Sequence, residues 1–378
     1  GSNLLQLVSS SHAKMLDRSR PLWELHVIEG LPKGQFAIFT KMHHALMDGV
    51  HGLKLMQDMY STSPDEDFLD RPKQHTKNKH HTEESLGHMV KSVLNSVLRQ
   101  TKALPEAYSY IGNLGLDQLL RKKDVPSMPF QSPPTVFNTE LSSRRSLILC
   151  ELPLDEIKLI GHGFKGTIND VVMAICGGAL RKYLIGIDKL PKQSISAGMP
   201  VSLKNPKESG GNQLSFIICP FATDEVDPVN RLKKIISITS KAKHDLLALM
   251  PETQKDLASM ALAPFLLLTM THTLQKLRPL YNSVLSNVPG PRQQMYLDGS
   301  TLDAFYPISI VSDGLGLNIT LISYQDKLCV GITAAPDNEP NIEVLGDYIK
   351  KGFKELKSQT IDVPVKKKAT PVAEAAGA

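Results

Sequence analysis

The chain has 378 residues, 41% of them apolar and 21% charged, the balance of an ordinary globular protein large enough for about two domains. Disorder of the whole chain, collagen-like structure and a small disulfide scaffold are excluded. Lys and Arg number 43 against 38 Asp and Glu, a net charge of +5. So mild an excess does not mark a nucleic-acid binder, and it is compatible with anionic membrane surfaces or phosphate-bearing substrates.

The opening segment Leu4 to Leu16 spaces apolar residues at helical intervals, and Pro21-Leu22-Trp23 breaks that pattern. Trp23 to Ile28 and Gln35 to Met42 read as two strands of a hairpin across Gly30-Leu31-Pro32-Lys33-Gly34. His43 and His44 end the second strand, and Gly49 to Met59 follows as a helix. Ser61 to Glu84 is polar and reads as an exposed connection. Its His75, His80 and His81, with His88 just beyond, read as solvated rather than metal-binding. Leu86 to Leu104 has helical spacing, and the Pro- and Ser-rich Pro126 to Pro134 marks an interdomain boundary.

The second half alternates strand and helix. Ser146 to Leu152, Ile195 to Leu203, Leu214 to Ala222, Tyr281 to Asn287, Ala304 to Val311, Leu317 to Tyr324 and Lys327 to Thr333 read as strands. Leu154 to Gly163, Asp170 to Leu184 (with Thr167 at its N-cap), Pro228 to Leu247, Pro251 to Lys276 and Asn341 to Lys357 read as helices. The Lys-, Pro- and Ala-rich end, from about Thr360, reads as disordered. The domains are therefore expected at 1–125 and 146–358, with a linker at 126–145 and a tail at 359–378. Cys150, Cys176, Cys219 and Cys329 stand far apart with no CxxC pair and read as buried free thiols of a reducing compartment. No stretch reaches the length of a membrane span. The apolar Leu257 to Met270 reads as a buried, Pro-kinked helix, with an acyl-chain wall or a lipid-touching surface as its other reading.

The chemistry concentrates in His43-His44-Ala45-Leu46-Met47-Asp48-Gly49. A neutral imidazole suits a general base at physiological pH. Strand alternation sends His43 and His44 to opposite faces, so that one reaches substrate while the other packs or fixes backbone. Taken singly, His43 would be a satisfied core histidine and Asp48 a helix cap or buried ion-pair partner. There is no GxSxG elbow, no dinucleotide fingerprint and no P-loop. The HxxxxD pattern of glycerol-phosphate acyltransferases leaves His44, Gly49 and the SNVPGP run unexplained.

HHxxxDG is the motif of the CoA-dependent acyltransferase superfamily. Pro21-Leu22-Trp23, the HHxxxDG run, Asn169-Asp170 and Ser286-Asn287-Val288-Pro289-Gly290-Pro291 follow one another as in one branch of it. The chain resembles the bacterial wax ester synthase/acyl-CoA:diacylglycerol acyltransferases from about Leu4 to Leu356. Members of that family carry a substantial stretch before PLW, so the chain reads as lacking part of its first domain.

The resemblance implies an α/β fold of two chloramphenicol-acetyltransferase-like domains, each a mixed sheet with packed helices, and an active-site channel between them. It implies transfer of a long-chain fatty acyl group from acyl-CoA to a fatty alcohol, giving a wax ester, or to a diacylglycerol, giving triacylglycerol. Acyl-CoA is then a substrate, and no cofactor or metal is required. His44 would be the general base and His43 supportive. Asp48 would orient the loop through an ion pair, and Gly49 would allow its tight turn. Ser286 and Asn287 are candidate oxyanion donors. Asn169, Asp170, Pro21, Leu22 and Trp23 would shape the site, with helix capping the simpler reading of Asn169-Asp170. The expected location is the cytoplasm, with peripheral attachment to the inner membrane or lipid inclusions and no nucleic-acid partner. Two other readings stand beside this one: a metal-dependent hydrolase using His43, His44, Asp48 and His51, and a non-catalytic lipid-binding member of the fold.

Overall fold

The computed structural model describes residues 2–43, 46, 49–66, 105–120, 122, 124–202, 214–250, 253, 254, 257, 277–337 and 340–360. Helix α1 (Ser2–Ala13) leads into an antiparallel hairpin of β1 (Trp23–Ile28) and β2 (Ala37–Met42), with Trp23 opposite Met42 and Ile28 opposite Ala37. Lys33, at φ 61, and Gly34, at φ 70, turn the connection. Helix α2 (Gly49–Asp58) follows, and α3 spans residues 105–119.

A six-stranded mixed sheet forms the centre of the described fold, in the order β3-β10-β9-β6-β4-β5. These are β3 (Ser146–Pro153), β4 (Ser196–Ser202), β5 (Leu214–Pro220), β6 (Ser283–Val288), β9 (Leu317–Tyr324) and β10 (Lys327–Ala334). β6 lies parallel to both β9 and β4, and the outer pairings are antiparallel. The short strands β7 (Tyr296–Leu297) and β8 (Ser300–Thr301) pair beside it. Helices α4 (Leu154–Gly163), α5 (Ile168–Gly186), α6 (Pro228–Leu247) and α7 (Leu345–Thr360) complete the described elements.

Strand alternation divides the core between the two faces of this sheet. Ile148, Cys150, Leu152, Leu285, Ile319, Leu321, Leu328 and Val330 pack in one large cluster with α4 to α7. Helix α5 sits inside that cluster. It is buried along most of its length because its sequence is apolar all round. On the opposite face Leu147 packs with Val8 of α1 and Phe39 of β2, which docks the hairpin onto the sheet.

The strand expected at Ala304 to Val311 does not form. Pro307 has no N–H to give a ladder, and its carbonyl crosses so close to Gly331 that a Cβ there would lie 1.7 Å from it. The carbonyls of Ser309 and Ile310 accept from side chains instead, His12 Nε2 at 3.1 Å and Asn318 Nδ2 at 3.0 Å. The closing helix starts later than expected, with a turn of 3-10 helix at Ile342–Val344 before α7. The helix expected at Leu86 to Leu104, His75, His80, His81 and His88, nearly all of Pro251 to Lys276 and the tail beyond Thr360 lie outside the described residues.

Candidate active site

The hairpin brings PLW to the head of the HHxxxDG segment. His43 N–H donates to the Leu22 carbonyl at 2.9 Å, one step beyond the Trp23–Met42 pair, and Trp23 N–H turns back onto the Pro21 carbonyl at 2.7 Å. Leu46 N–H then bonds the His43 carbonyl at 2.9 Å, closing a turn directly after the strand. PLW thus holds this segment through its backbone, while the Trp23 ring is 52% exposed on the hairpin's outer face. Gly49 opens α2. His44 and Asp48 lie outside the described residues, as does the side chain of His51.

Further contacts fasten the hairpin to α1 and the sheet. Lys41 Nζ donates to the Ser11 carbonyl at 2.9 Å and to the Lys14 carbonyl, satisfying acceptors at the end of α1. Next to it lies His12, whose ring bonds Ser309. Burial holds the His12 pKa below its ordinary value; the Ser309 carbonyl opposes that shift, and nearby Lys41 and Arg145 reinforce it.

The second group of motif residues gathers where α5 begins and β6 ends. Thr167 and Asp170 form a capping box: Asp170 N–H donates to Thr167 Oγ1 at 3.3 Å, and Asp170 Oδ2 accepts from Thr167 N–H and Oγ1, both at 2.7 Å. Asp170 Oδ1 accepts from Thr239 Oγ1 of α6 at 2.6 Å. With both carboxylate oxygens engaged in a 2% exposed side chain, Asp170 is structural. It fixes the turn that presents Asn169. Asn169 Oδ1 in turn accepts from Asn287 Nδ2 at 2.7 Å, and Asn287 Oδ1 is buried without a partner among the described residues.

Register separates Ser286 from Asn287. Asn287 aligns with Leu321 and shares the helix-covered face with Leu285. Ser286 aligns with Thr320 and points to the other face, the one on which α1 and the hairpin pack. The strand exit is held tightly: Gly290 N–H donates to Ser323 Oγ at 3.0 Å, and a Cβ on Gly290 would lie 2.1 Å from the Ser323 carbonyl.

The two groups are tied through the segments that follow them. Ser61, just after α2, and Tyr296, just after SNVPGP, exchange two backbone hydrogen bonds of 2.8 Å. Gln57, Tyr60, Pro291, Met295, Leu302 and Phe305 line a small, shallow recess at this junction. The Leu22 clamp, the Asn169–Asn287 bond and the Ser61–Tyr296 bridge join residues far apart in sequence, and no local pattern announces them. The Thr167/Asp170 capping box is the exception, since its TxxD spacing is local.

All four cysteines are free and buried, and burial pushes the Cys150 and Cys219 thiols up to about 12. None is a thiolate nucleophile at neutral pH.

Residues 1–172 match the family model of the wax ester synthase/diacylglycerol acyltransferase catalytic domain, and residues 210–357 match the C-terminal domain of the same family. The chain belongs to that family. As a member it is an acyltransferase, and the α/β fold implied by the motif order is the one it has. A provisionally named diacylglycerol O-acyltransferase of Mycobacterium tuberculosis is 36% identical over 361 residues, covering 93% of this chain and 78% of the relative. The O-acyltransferase WSD of Acinetobacter baylyi is 33% identical, covering 92% and 76%. Among solved structures, the wax ester synthase/diacylglycerol acyltransferase of Marinobacter aquaeolei VT8 superposes with a TM-score of 0.68 at 30% identity, covering 95% of this chain and 76% of that one. A starter condensation domain of rhizomide synthetase superposes with a TM-score of 0.55 at 12% identity, covering 96% and 75%, a likeness of fold alone.

Proposed function

We propose that this enzyme transfers a long-chain acyl group from acyl-CoA to the hydroxyl of a fatty alcohol or a diacylglycerol, with His44 as general base. Family membership supports the substrates. The observation that carries the site is the convergence of PLW, the HHxxxDG segment and SNVPGP through the Leu22–His43 bond and the Ser61–Tyr296 bridge.

An alkanol does not ionise at neutral pH, so His44 takes its proton as the oxygen attacks the thioester carbonyl. The tetrahedral oxyanion needs a fixed donor, and the Ser286 hydroxyl is favoured because its face of the sheet is the one that carries the hairpin. Collapse breaks the C–S bond, and the proton held by His44 passes to the departing CoA thiolate. The ester forms in one transfer, with no covalent acyl-enzyme and no cofactor. Asn169 and Asn287 position the end of β6, Asp48 orients the motif loop and His43 anchors it to Leu22. In this reading residues 1–125 and 146–358 are the two halves of the fold, joined by 126–145, with the substrate channel between them. Both acceptors are insoluble in water, so the enzyme works at the cytoplasmic surface of a membrane or lipid inclusion.

The test is product analysis by mass spectrometry after incubation with palmitoyl-CoA and either hexadecanol or dioleoylglycerol. Palmityl palmitate or triacylglycerol formed with stoichiometric thiol release supports the reading. Free palmitate alone, with neither ester, contradicts it.

A further inference from the structure

We infer that Tyr324 is a positioning residue for acyl transfer. Its hydroxyl fixes the loop 294–302, and through that loop it sets the HHxxxDG segment against the strand end that carries SNVPGP. The inference rests on the acyltransferase reading for its consequence, and on the hydrogen bonds of Tyr324 for the residue itself.

Tyr324 ends β9 and is fully buried. Its side chain packs with Met295 and Cys329, and Tyr60, just beyond α2, packs against that cluster. The hydroxyl spends its whole bonding capacity on the loop. It donates to the Leu302 carbonyl at 2.7 Å, and it accepts from Met295 N–H at 3.1 Å and from Gln294 Nε2 at 2.9 Å. Met295 and Leu302 also close the loop on itself, since Leu302 N–H donates to the Met295 carbonyl at 2.9 Å. Between them stand β7 and β8, and Tyr296 of β7 makes the bridge to Ser61.

A phenylalanine would fill the same space, so packing alone does not account for the hydroxyl. What the hydroxyl adds is a connection. On one side of it the loop reaches Ser61 and, through Ser61, α2 and the HHxxxDG segment that α2 continues. On the other side β9 runs parallel to β6, with Thr320 beside Ser286 and Ile322 beside Val288. One phenol oxygen therefore links the elements that carry the proposed base and the proposed oxyanion donor. Enclosed in the protein, Tyr324 acts through the distance between those two groups. Displacing a reacting group by about 1 Å can cost about a hundredfold in rate.

The test is steady-state thiol release from palmitoyl-CoA with hexadecanol by Tyr324→Phe, beside Tyr183→Phe. The control also loses a buried phenol bond, from Tyr183 of α5 to the Pro340 carbonyl at 2.9 Å, but among the helices on the opposite face of the sheet. Both variants should melt a few degrees below the wild type. Tyr324→Phe should lower kcat about tenfold or more and leave the KM for palmitoyl-CoA within about twofold, because the lost bonds do not touch substrate. Tyr183→Phe should keep the wild-type kcat. Ser61→Cys and Tyr296→Cys, added to Tyr324→Phe, supply a rescue. Hydrogen-bonded antiparallel pairs hold their Cα atoms about 5.5 Å apart, within disulfide reach. Oxidation should raise kcat severalfold over the reduced form of the same protein. A wild-type kcat in Tyr324→Phe, an equal loss in Tyr183→Phe, a loss confined to KM, or no gain on oxidation each overturns the inference. No thiol release by the wild type with any acceptor would instead remove the acyltransferase reading. Amide hydrogen exchange then decides the role of the hydroxyl. Faster exchange at the Ser61 and Tyr296 amides in Tyr324→Phe than in the wild type supports it, and equal exchange overturns it.

Discussion

Asn287 sits at the end of a strand with one amide hydrogen given to Asn169 and its oxygen buried without a partner among the described residues. A buried polar atom left unsatisfied is costly, so its retention at a strand exit beside the motif residues marks a positioning group rather than a packing one. The two asparagines then act as a unit. Asn169→Ala and Asn287→Ala should each lower kcat for thiol release, and the double variant should be no slower than the slower single one. Equal, fully multiplicative losses would mean that the bond does not couple them. Asp170 belongs to a different kind of residue: its four hydrogen bonds serve the cap of α5 and the contact to α6, and caps of this kind contribute about 1 kcal/mol.

Elements with a local signature are legible in the sequence. The hairpin strand Trp23–Ile28, helix Leu154–Gly163, helix Pro228–Leu247 and strand Leu317–Tyr324 all fall where their periodicity and their caps or turns place them. Ala304 to Val311 misled because its strand-forming residues carry no information about which carbonyls other side chains will claim. Helix α3 has no clear signature in the sequence, because its apolar residues lie on both faces and Gly112 and Gly115 interrupt it. Of the site, the HHxxxDG, PLW, ND and SNVPGP runs could be read directly, whereas their mutual bonds could not. The α1–hairpin joint carries a pH dependence of definite sign. The His12 pKa is lowered by burial and by Lys41 and Arg145, which themselves face Glu24 and Asp313. The unfolded chain therefore binds the extra proton first. The His12 contribution is whole above about pH 6.5 and is lost as pH falls toward the folded value. Urea unfolding at about pH 7.5 and about pH 5.5 should show a smaller pH-dependent loss for His12→Gln than for the wild type. An equal loss in both would place the acid sensitivity elsewhere.

At the scale of the molecule, the mixed sheet separates two tasks. One face buries α4 to α7 in the large core, and the other receives α1 and the hairpin that ends in HHxxxDG. The parallel neighbours of β6 place SNVPGP at the carboxyl ends of β6 and β9, where open α/β sheets present their ligand-binding residues. Backbone hydrogen bonds between segments distant in sequence hold the motif-bearing segments together, so the site depends on the whole fold. The measurement that tests this account most directly is thiol release from palmitoyl-CoA, with and without hexadecanol, by the wild-type enzyme and by His44→Ala of unchanged circular dichroism. The account predicts release that requires the alcohol in the wild type and falls by at least about a hundredfold in His44→Ala. Near-normal, acceptor-dependent release by His44→Ala would contradict it.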